Sequence, residues 1–385
     1  MAASDVRVEP VVSRQDLRSF IMFPFELYRT DKYWVPPLIG ERLKHFDPHH
    51  NPFYEHAEVK LFRAIRGDKT VGTIAAIDDQ LHPKVWNEPA GFFGEFEVIE
   101  DYEVAARLFS AAREWLASRG REIMRGPMNL NINEECGLLI EGFDGCPMIM
   151  MTYNPRYYQT FLERYGFAKA KDLYAYKIGI RGDASNAVNL PERVTRAARI
   201  ALERHHVQMR RLDMDHFWEE VELIKPIYRA AWSKNWGALP MTDAEFTNLA
   251  NNLRQIADPE LVYLAFIDGQ PVGCFVALPD YNQVAYHLNG RLFPIGWIKF
   301  LWYKRKINGL RVLIMGVLEE HRLKGIEALF YQEAARVALP KGFVWGEMSW
   351  ILEDNYNVMR GIEMMGGKVY RKYRLFDLPT KSQSD

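Results

Sequence analysis

The twenty residues GVLEEHRLKGIEALFYQEAA (316–335) lie where a strand ends and a helix begins. The run LRVLIMGVL (310–318) has the composition of a buried strand. A short stretch with charges of both signs follows, and the apolar spacing after it predicts an amphipathic helix over 325–339. The turn is therefore either a cradle for a phosphate-bearing ligand or only a tight corner between two elements.

The residues of this turn suit the first alternative. A helix N-terminus has four unpaired amide groups and a partial positive charge, so backbone alone can hold a pyrophosphate. Gly325 lacks the Cβ that would block a close approach, and Arg322 and Lys324 add positive charge. Glu327 opposes this interpretation, because a carboxylate in the first helical turn competes with a phosphate and is also an ordinary helix-start residue.

Length and composition restrict the class of protein. A chain of 385 residues with 48% hydrophobic residues predicts two domains with cores of ordinary size. The net charge of −1 argues against a protein that binds nucleic acid by neutralising phosphates, so we predict no nucleic-acid partner. Three cysteines without CxxC spacing predict reduced thiols. Because no apolar run reaches roughly 18 residues and the N-terminus has no apolar segment, we predict a cytoplasmic protein.

Two halves of the chain repeat one pattern of hairpin, helices and strands, and they end alike, in LERYGFAKAKDLYAYKI (162–178) and IEMMGGKVYRKYRLFDL (362–378). The polar stretch 179–205 separates them. The predicted elements are hairpins at 57–79 and 261–278, helices at 101–120 and 325–339, strands at 310–318 and 343–351, and a helix with a closing strand at 153–178 and 355–378. The predicted domains are 1–180 and 205–385, joined by a linker helix region at 181–204.

The second half resembles the GCN5-related N-acetyltransferase (GNAT) superfamily. Its members carry the motif Q/R-x-x-G-x-G/A between the central strand and the next helix, and Arg322 and Gly325 match it although its last small residue is missing. Asn355 matches a later motif, in which MMGGKVY (364–370) replaces the usual Gly-Phe. The first half is similar to the same superfamily through NPRYYQTFLERYGF (154–167) but has no phosphate-loop motif.

The whole chain is similar to longer bacterial proteins of tandem GNAT type, of which RGPMNLNINEECGLLIEGFD (125–144) is characteristic. Bacterial ceramide synthases, which N-acylate a long-chain amine, are relatives in this resemblance. It implies an α/β protein of the α+β type with two GNAT-like domains, each a mixed, mostly antiparallel sheet flanked by helices. The first domain is degenerate, and the second takes acyl-CoA as a co-substrate with no permanently bound cofactor. The cofactor-binding residues that the match implies are Val317, Arg322, Lys324, Gly325, Ile326 and Asn355.

Direct attack of an amine on the acyl thioester needs a proton acceptor. The Asn-rich loop at 125–150 carries Glu134 and Glu135 and either lines a pocket or forms turns whose side chains satisfy their own backbone. His287, beyond the second hairpin, is a further candidate for the general base, with a surface loop as the alternative. Cys136 has no histidine at an informative spacing, so we do not predict it as a nucleophile.

Three other stretches have competing interpretations. HFDPHHNPFYEH (45–56) contains four histidines but fits no zinc spacing, so we predict no metal site and a solvated or capping loop. PIGWIKFLWYKRKI (294–307) is either an interfacial segment that contacts a membrane or guides a lipid acceptor, or an amphipathic helix packed on the second domain. The methionine-rich run CPMIMMTY (146–153) either lines an acyl tunnel or fills an irregular core.

The sequence thus predicts an N-acyltransferase that moves an acyl group from acyl-CoA to a primary amine, with a long-chain or lipid-like acceptor such as a sphingoid base. Its partners are acyl-CoA and the amine, with peripheral contact at the inner membrane surface through 294–307. Three alternatives remain open at this point. They are a non-catalytic acyl-CoA or lipid-binding protein of GNAT fold, an aminoacyl-tRNA-dependent transferase, and a protein-interaction scaffold.

Overall fold

The computed structural model describes residues 6–182 and 189–381, so part of the predicted linker, 183–188, lies outside the described residues. Contacts divide the described chain into two compact units. The first contains 6–173, 285–299 and 371–381, and the second contains 174–182, 189–284 and 300–370.

The helices and strands follow one another along the chain in this order. The first part of the chain contains β1 (Val6–Pro10), α1 (Arg14–Leu27), α2 (Ile39–His45), β2 (Ala57–Arg66), β3 (Lys69–Asp79), α3 (His82–Trp86), β4 (Ala90–Val98), α4 (Tyr102–Ser118), β5 (Ile123–Gly126), β6 (Leu138–Glu141), α5 (Tyr157–Tyr165) and β7 (Ala168–Gly179). The later part contains α6 (Glu192–Glu203), β8 (Gln208–Arg211), α7 (Phe217–Trp232), α8 (Asp243–Ile256), β9 (Val262–Ile267), β10 (Gln270–Pro279), α9 (Asn282–Leu288), α10 (Gly296–Lys304), β11 (Gly309–Val317), α11 (Ile326–Ala338), β12 (Trp345–Leu352), α12 (Tyr356–Met364) and β13 (Lys368–Pro379).

The sheet of the first unit has the strand order β1-β2-β3-β4-β5-β13. Pairing is antiparallel from β1 to β4 and between β5 and β13, whereas β4 and β5 are parallel. Helix α4 packs on this sheet through an apolar face with the spacing of a buried helix stripe, which includes Val104, Leu108, Ala112 and Leu116. Phe109 of α4 stacks on Phe96 of β4 at a centroid distance of 4.6 Å, so α4 is fixed against the middle of the sheet.

The sheet of the second unit has the order β7-β12-β11-β10-β9-β8. Strands β8 to β11 pair in antiparallel fashion, and β11 and β12 are parallel. Helix α7 packs against β11 where Gly316 leaves room for Ala231 and Trp232. Each unit therefore has the predicted mixed, mostly antiparallel sheet flanked by helices, with one parallel pair joined by a crossover helix, α4 or α11.

The last strand differs in its membership from the sequence-based division. Residues 371–381 belong to the first unit, because Phe376 pairs with Gly126 and Pro379 pairs with Ile123. The sequence placed this strand in a domain of 205–385 because a local pattern carries no information on a partner 250 residues away. The Arg125 side chain reinforces the pairing through Asp377, with Nε to Oδ1 at 2.8 Å.

In both units the parallel pairing is short. Strand β4 pairs with β5 only from Ala90 to Phe92, and β11 pairs with β12 only from Gly309 to Val312. Both strands continue for five or more residues, to Val98 and Val317, and the described residues show no further ladder on that side. The carboxyl-terminal edge of each strand is thus left for other groups to pair with.

Candidate functional site

The turn between β11 and α11 is the first part of the site. A short 3-10 turn at Glu319–His321 follows β11, and α11 then begins at Ile326. Gly325 is the N-cap, with a φ of +83°, and provides no side-chain cap, whereas the Glu327 carboxyl accepts a hydrogen bond from its own backbone amide. The other amide groups of the first turn are of the kind that bind anions at helix N-termini.

The missing Cβ of Gly325 has a cause within the chain itself. A Cβ placed there would lie 2.3 Å from the carbonyl oxygen of Ala197 and 3.5 Å from the Cβ of Ala201, both on α6. The left-handed φ also disfavours any other residue. The packing of α6 and the backbone conformation thus require this glycine whether or not a phosphate approaches.

Two basic residues, Arg322 and Lys324, lie in this turn between β11 and α11. Arg322 is exposed and donates from Nε to the carbonyl of Val317 at 3.4 Å, while Lys324 Nζ lies 3.0 Å from His321 Nδ1. Leu323 is 99% exposed, so the turn stands out from the surface of its unit. Two positively charged side chains next to a helix N-terminus are the groups that the predicted phosphate site requires.

Glu327 does not oppose this arrangement as strongly as its residue type implies. Burial raises the pKa of its carboxyl, and a hydrogen bond from the backbone and the charge of Arg322 offset only part of that rise. A raised pKa favours the neutral form, which repels a phosphate less than a carboxylate does.

The other predicted cofactor residues occupy definite places in the same unit. The Val317 side chain is buried and its backbone is paired with Gly273, and the Ile326 side chain is fully buried, so these residues can offer a ligand only backbone groups. Asn355 is the N-cap of α12 and makes no side-chain cap bond there. Because β11 and β12 are parallel, the ends that precede α11 and α12 lie at the same edge of the sheet.

A buried polar network lies where the parallel pairing of β11 and β12 stops. Arg311 donates from Nε to Ser349 Oγ at 2.9 Å, and Ser349 Oγ donates to Glu347 Oε1 at 2.5 Å. Tyr370 also donates to the Glu347 carboxylate. Glu347 is fully buried and Arg311 is 3% exposed. This network was not predicted from the sequence, although Arg311 and Glu347, a charged residue within each of two apolar strands, were a signal for it.

In the first unit, Glu134 and Glu135 lie close to charged groups of distant segments. Arg42 donates from Nη2 to Glu95 Oε2 at 2.5 Å, and His45 Nε2 is 3.5 Å from Glu95 Oε1. Burial raises the pKa of Glu135, and the charge of Arg42 opposes that rise. Arg42 and Glu95 were not predicted from the sequence, and His45 was predicted as part of a solvated or capping loop.

The four histidines of 45–56 thus have two environments. His49 and His50 are exposed, as the interpretation of a solvated loop requires, but the side chain of His45 is 16% exposed and that of His56 is 12% exposed. His56 Nδ1 contacts Asp79 Oδ1 at 3.1 Å. Across 6–182 and 189–381, no three His, Cys, Asp or Glu side chains are grouped as metal ligands.

The remaining residues considered from the sequence are His287 and Cys136. His287 lies on α9 in the first unit, its ring meets that of Tyr286 edge-on at 5.3 Å, and its carbonyl accepts from Lys299 Nζ at 3.3 Å. Cys136 is buried, and its Sγ lies 3.9 Å from the carbonyl oxygen of Ile132.

Comparison with known proteins places these features in a family. The chain is 40% identical over 382 residues to the bacterial ceramide synthase of Caulobacter vibrioides, covering 97% of each chain. It is 36% identical over 377 residues to protein YghO of Escherichia coli, covering 96% of this chain and 94% of that one. No protein-family model matches the chain.

Solved structures share the fold over the full length. A tandem GNAT protein from the clavulanic acid biosynthesis pathway matches with a TM-score of 0.59 at 10% identity, covering 99% of this chain and 100% of that one. A GCN5-related N-acetyltransferase from Sphaerobacter thermophilus matches with a TM-score of 0.53 at 12% identity, covering 100% and 99%. The predicted fold class and the resemblance to tandem GNAT proteins are confirmed. The chain therefore belongs to the bacterial ceramide synthase family of acyltransferases with a tandem GNAT fold.

Proposed function

We propose that this chain is an N-acyltransferase that moves an acyl group from acyl-CoA to a primary amine, and that the amine is lipid-like, such as a sphingoid base. The observation that carries the proposal is the N-terminus of α11, which has no N-cap side chain and lies beside Arg322 and Lys324. It follows the end of β11, where β11 no longer pairs with the parallel strand β12. The ceramide synthase relative supports the acyl-transfer chemistry.

The groups of the second unit fit an acyl-CoA without further cofactors. The pyrophosphate is held by the α11 amides of residues after Gly325, with Arg322 and Lys324 as its counter-charges. The unpaired edge of β11 near Val317 offers backbone groups to the pantetheine amides and the thioester carbonyl. Asn355, at the start of α12, is proposed as a further contact at this edge of the sheet.

The amine attacks the thioester carbon, a tetrahedral intermediate forms, and the carbon–sulfur bond breaks to release the CoA thiolate. The proton lost by the amine goes to a base, and we propose Glu134, Glu135 or His287 for this role. Glu135 has the best support, because burial raises its pKa toward the range of a working base.

A lipid-like substrate is supported by helix α10 and the residues around it. The exposed large apolar side chains here are Phe293, Ile295, Trp297, Ile298, Leu301 and Trp302. The basic residues Lys299, Lys304, Arg305 and Lys306 lie in the same segment. Exposed tryptophans interleaved with lysines match an interfacial membrane segment better than a packed helix.

We propose that the segment 294–307, together with the preceding Phe293, touches an anionic lipid surface at the periphery of a membrane. No helix within the described residues is long and apolar enough to cross a bilayer. Met148 and Met151 are buried in the first unit, which favours the alternative that these methionines fill a core.

The test is release of free thiol from a series of acyl-CoAs, from acetyl to palmitoyl, with a short and a long primary amine. Each buried methylene contributes about 0.8 kcal/mol, so affinity should rise roughly fourfold per methylene until the chain is accommodated. Thiol release that requires the amine identifies a transferase, whereas binding without release identifies an acyl-CoA-binding protein. Best turnover of acetyl-CoA with a water-soluble amine would contradict the lipid substrate.

Membrane contact is tested separately by sedimentation with vesicles of neutral phosphatidylcholine, with and without anionic phosphatidylglycerol. The wild-type chain should sediment with the anionic vesicles. A Trp297→Ser, Trp302→Ser variant should stay in the supernatant, and a matched surface variant, Val344→Ser, should behave as wild type because Val344 is exposed outside this segment.

A further inference from the structure

The charged cluster of the first unit is built by three separate segments. Helix α2 presents Arg42 and His45 one turn apart, so both side chains lie on one face. Glu95 comes from β4 at a position with a φ of +49°, next to an irregularity in the β3–β4 register. Its amide donates to Asn129 Oδ1 at 2.9 Å, which fixes the segment that carries Glu135.

The Glu95 carboxylate is ionised but only half satisfied. Burial raises its pKa, but the charge of Arg42 and the contact with His45 outweigh burial and lower the pKa to about 2. Arg42 occupies Oε2, whereas the buried Oε1 has no hydrogen-bond partner in the described residues. His45 Nε2, 3.5 Å away, is buried and has no hydrogen-bond partner there either. The long contact with His45 is thus the nearest donor that Oε1 has in the described residues, and a buried ionised oxygen with so weak a donor favours the binding of a ligand that donates to it.

The cluster also contains more carboxyl groups than a single guanidinium balances. Glu97 lies on the same strand, where burial raises its pKa to about 8 while Tyr28 and Tyr158 donate to Oε2 at 2.6 and 2.8 Å. The charge of Glu95 contributes to the raised pKa of both Glu97 and Glu135. A ligand with a positive charge would complete this cluster, and an anion would be repelled.

We propose that Glu95 Oε1, supported by Glu135, binds the ammonium group of a primary amine in the first unit. An ammonium offers three N–H donors and a compact charge, which suit an unpaired carboxylate oxygen beside a second carboxyl group. A metal ion is a poorer match, because the described residues contain no group of three ligands with metal geometry. That the bound amine is the acceptor of acyl transfer rests on the function proposed above, whereas ammonium binding does not.

Calorimetry with octylamine, and with octanol as its uncharged counterpart, tests the proposal on the full chain. Octylamine should bind in saturable fashion and octanol at least tenfold more weakly. Loss of a charge-assisted hydrogen bond should weaken octylamine binding roughly tenfold or more in Glu95→Gln and severalfold in Glu135→Gln. The control is Glu114→Gln, an exposed glutamate of α4, which should bind as wild type.

Glu135→Gln leaves the Arg42–Glu95 pair intact, so a loss of binding in this variant cannot be caused by the loss of that pair. Thermal melts of each variant test whether it is folded. A second readout is proton release. A bound cation lowers the pKa of Glu97 from about 8, so titrations at pH 7.5 in two buffers of different ionisation enthalpy should show net proton loss. A purely structural ion pair would give no such loss.

Two outcomes overturn the proposal. They are the absence of saturable octylamine binding, and binding that neither Glu95→Gln nor Glu135→Gln changes. If the variants transfer acyl groups with an unchanged KM for the amine, this amine site fails as the acceptor site and the acyltransferase function stands. If the wild type binds octylamine but never releases thiol from acyl-CoA, the acyltransferase function fails and the ammonium site stands.

Discussion

Both units contain a crossover helix between two parallel strands, α4 in the first and α11 in the second, but the N-termini of these two helices differ. In the first, Asp101 caps α4 by accepting from the Glu103 amide at 3.0 Å, so a carboxylate of the chain occupies the helix N-terminus. In the second, Gly325 leaves the α11 N-terminus without a side-chain cap. The N-cap position thus supplies a carboxylate in one unit and none in the other, where we propose that the first-turn amides beside Glu327 bind an external anion.

The strand edges show the same contrast. Beyond the short β4–β5 ladder, the segment after β5 takes over the edge of β4, with the Met128 amide donating to Phe93 at 2.7 Å. Gly94 is needed there, since a Cβ would lie 1.8 Å from the Met128 carbonyl. An edge and a helix end that the chain fills are structural features. An edge and a helix end that it leaves open are the features expected of a ligand site.

The largest expected effect comes from reversing the charges beside the open helix end. The double variant Arg322→Glu, Lys324→Glu should bind acyl-CoA at least a hundredfold more weakly, since each charge-assisted contact contributes roughly 1.5–3 kcal/mol. Calorimetry with an acyl-CoA measures the change. Lys368→Glu, an exposed charge reversal in the same unit, is the control and should bind normally. Equal affinity in wild type and double variant would place the cofactor elsewhere.

The next effect concerns stability and separates the two roles of Gly325. Gly325→Ala should lower the free energy of unfolding by about 2 kcal/mol more than Gly342→Ala. Both glycines have a positive φ, but only Gly325 faces a backbone oxygen within 4 Å, the carbonyl of Ala197. Urea denaturation measures both values. Equal losses would show that α6 does not constrain this turn and that the positive φ alone sets the cost of the substitution.

The smallest effect is the pH dependence that Glu327 adds to cofactor binding. Its pKa is raised, so the carboxyl becomes charged as the pH rises through that pKa, and the charge next to the phosphates should then weaken binding. Glu327→Gln should bind acyl-CoA up to about fivefold more tightly at pH 8, within the range of helix-end charge effects. The advantage should shrink at pH 5. A constant ratio at both pH values would show that Glu327 does not face the cofactor.

The elements were largely predictable because their signals are local. The apolar stripe of 101–120 predicted α4, and alternation over 57–79 predicted the β2–β3 hairpin, whose turn lies between Arg66 and Lys69. The membership of the last strand was not predictable, because its register with β5 depends on pairing between Phe376 and Gly126, far apart in the chain.

The site was predictable only in part, for the same reason. The density of asparagines and glutamates in 125–150 indicated Glu134 and Glu135 as candidates, but their neighbours Arg42 and Glu95 come from segments much earlier in the chain. Gly325 was recognisable from the sequence as the glycine of the turn before α11. Which atoms its missing Cβ would have met depends on the approach of α6, and no local pattern encodes that distance.

The number of acyl-CoA molecules bound per chain tests the contrast between the two units most directly. Calorimetric titration of the wild type with a long-chain acyl-CoA, below the concentration at which it forms micelles, gives this number. We predict one molecule per chain, lost in Arg322→Glu, Lys324→Glu. Two equivalent sites per chain, or one site that the double variant retains, would contradict the assignment of the cofactor to the second unit.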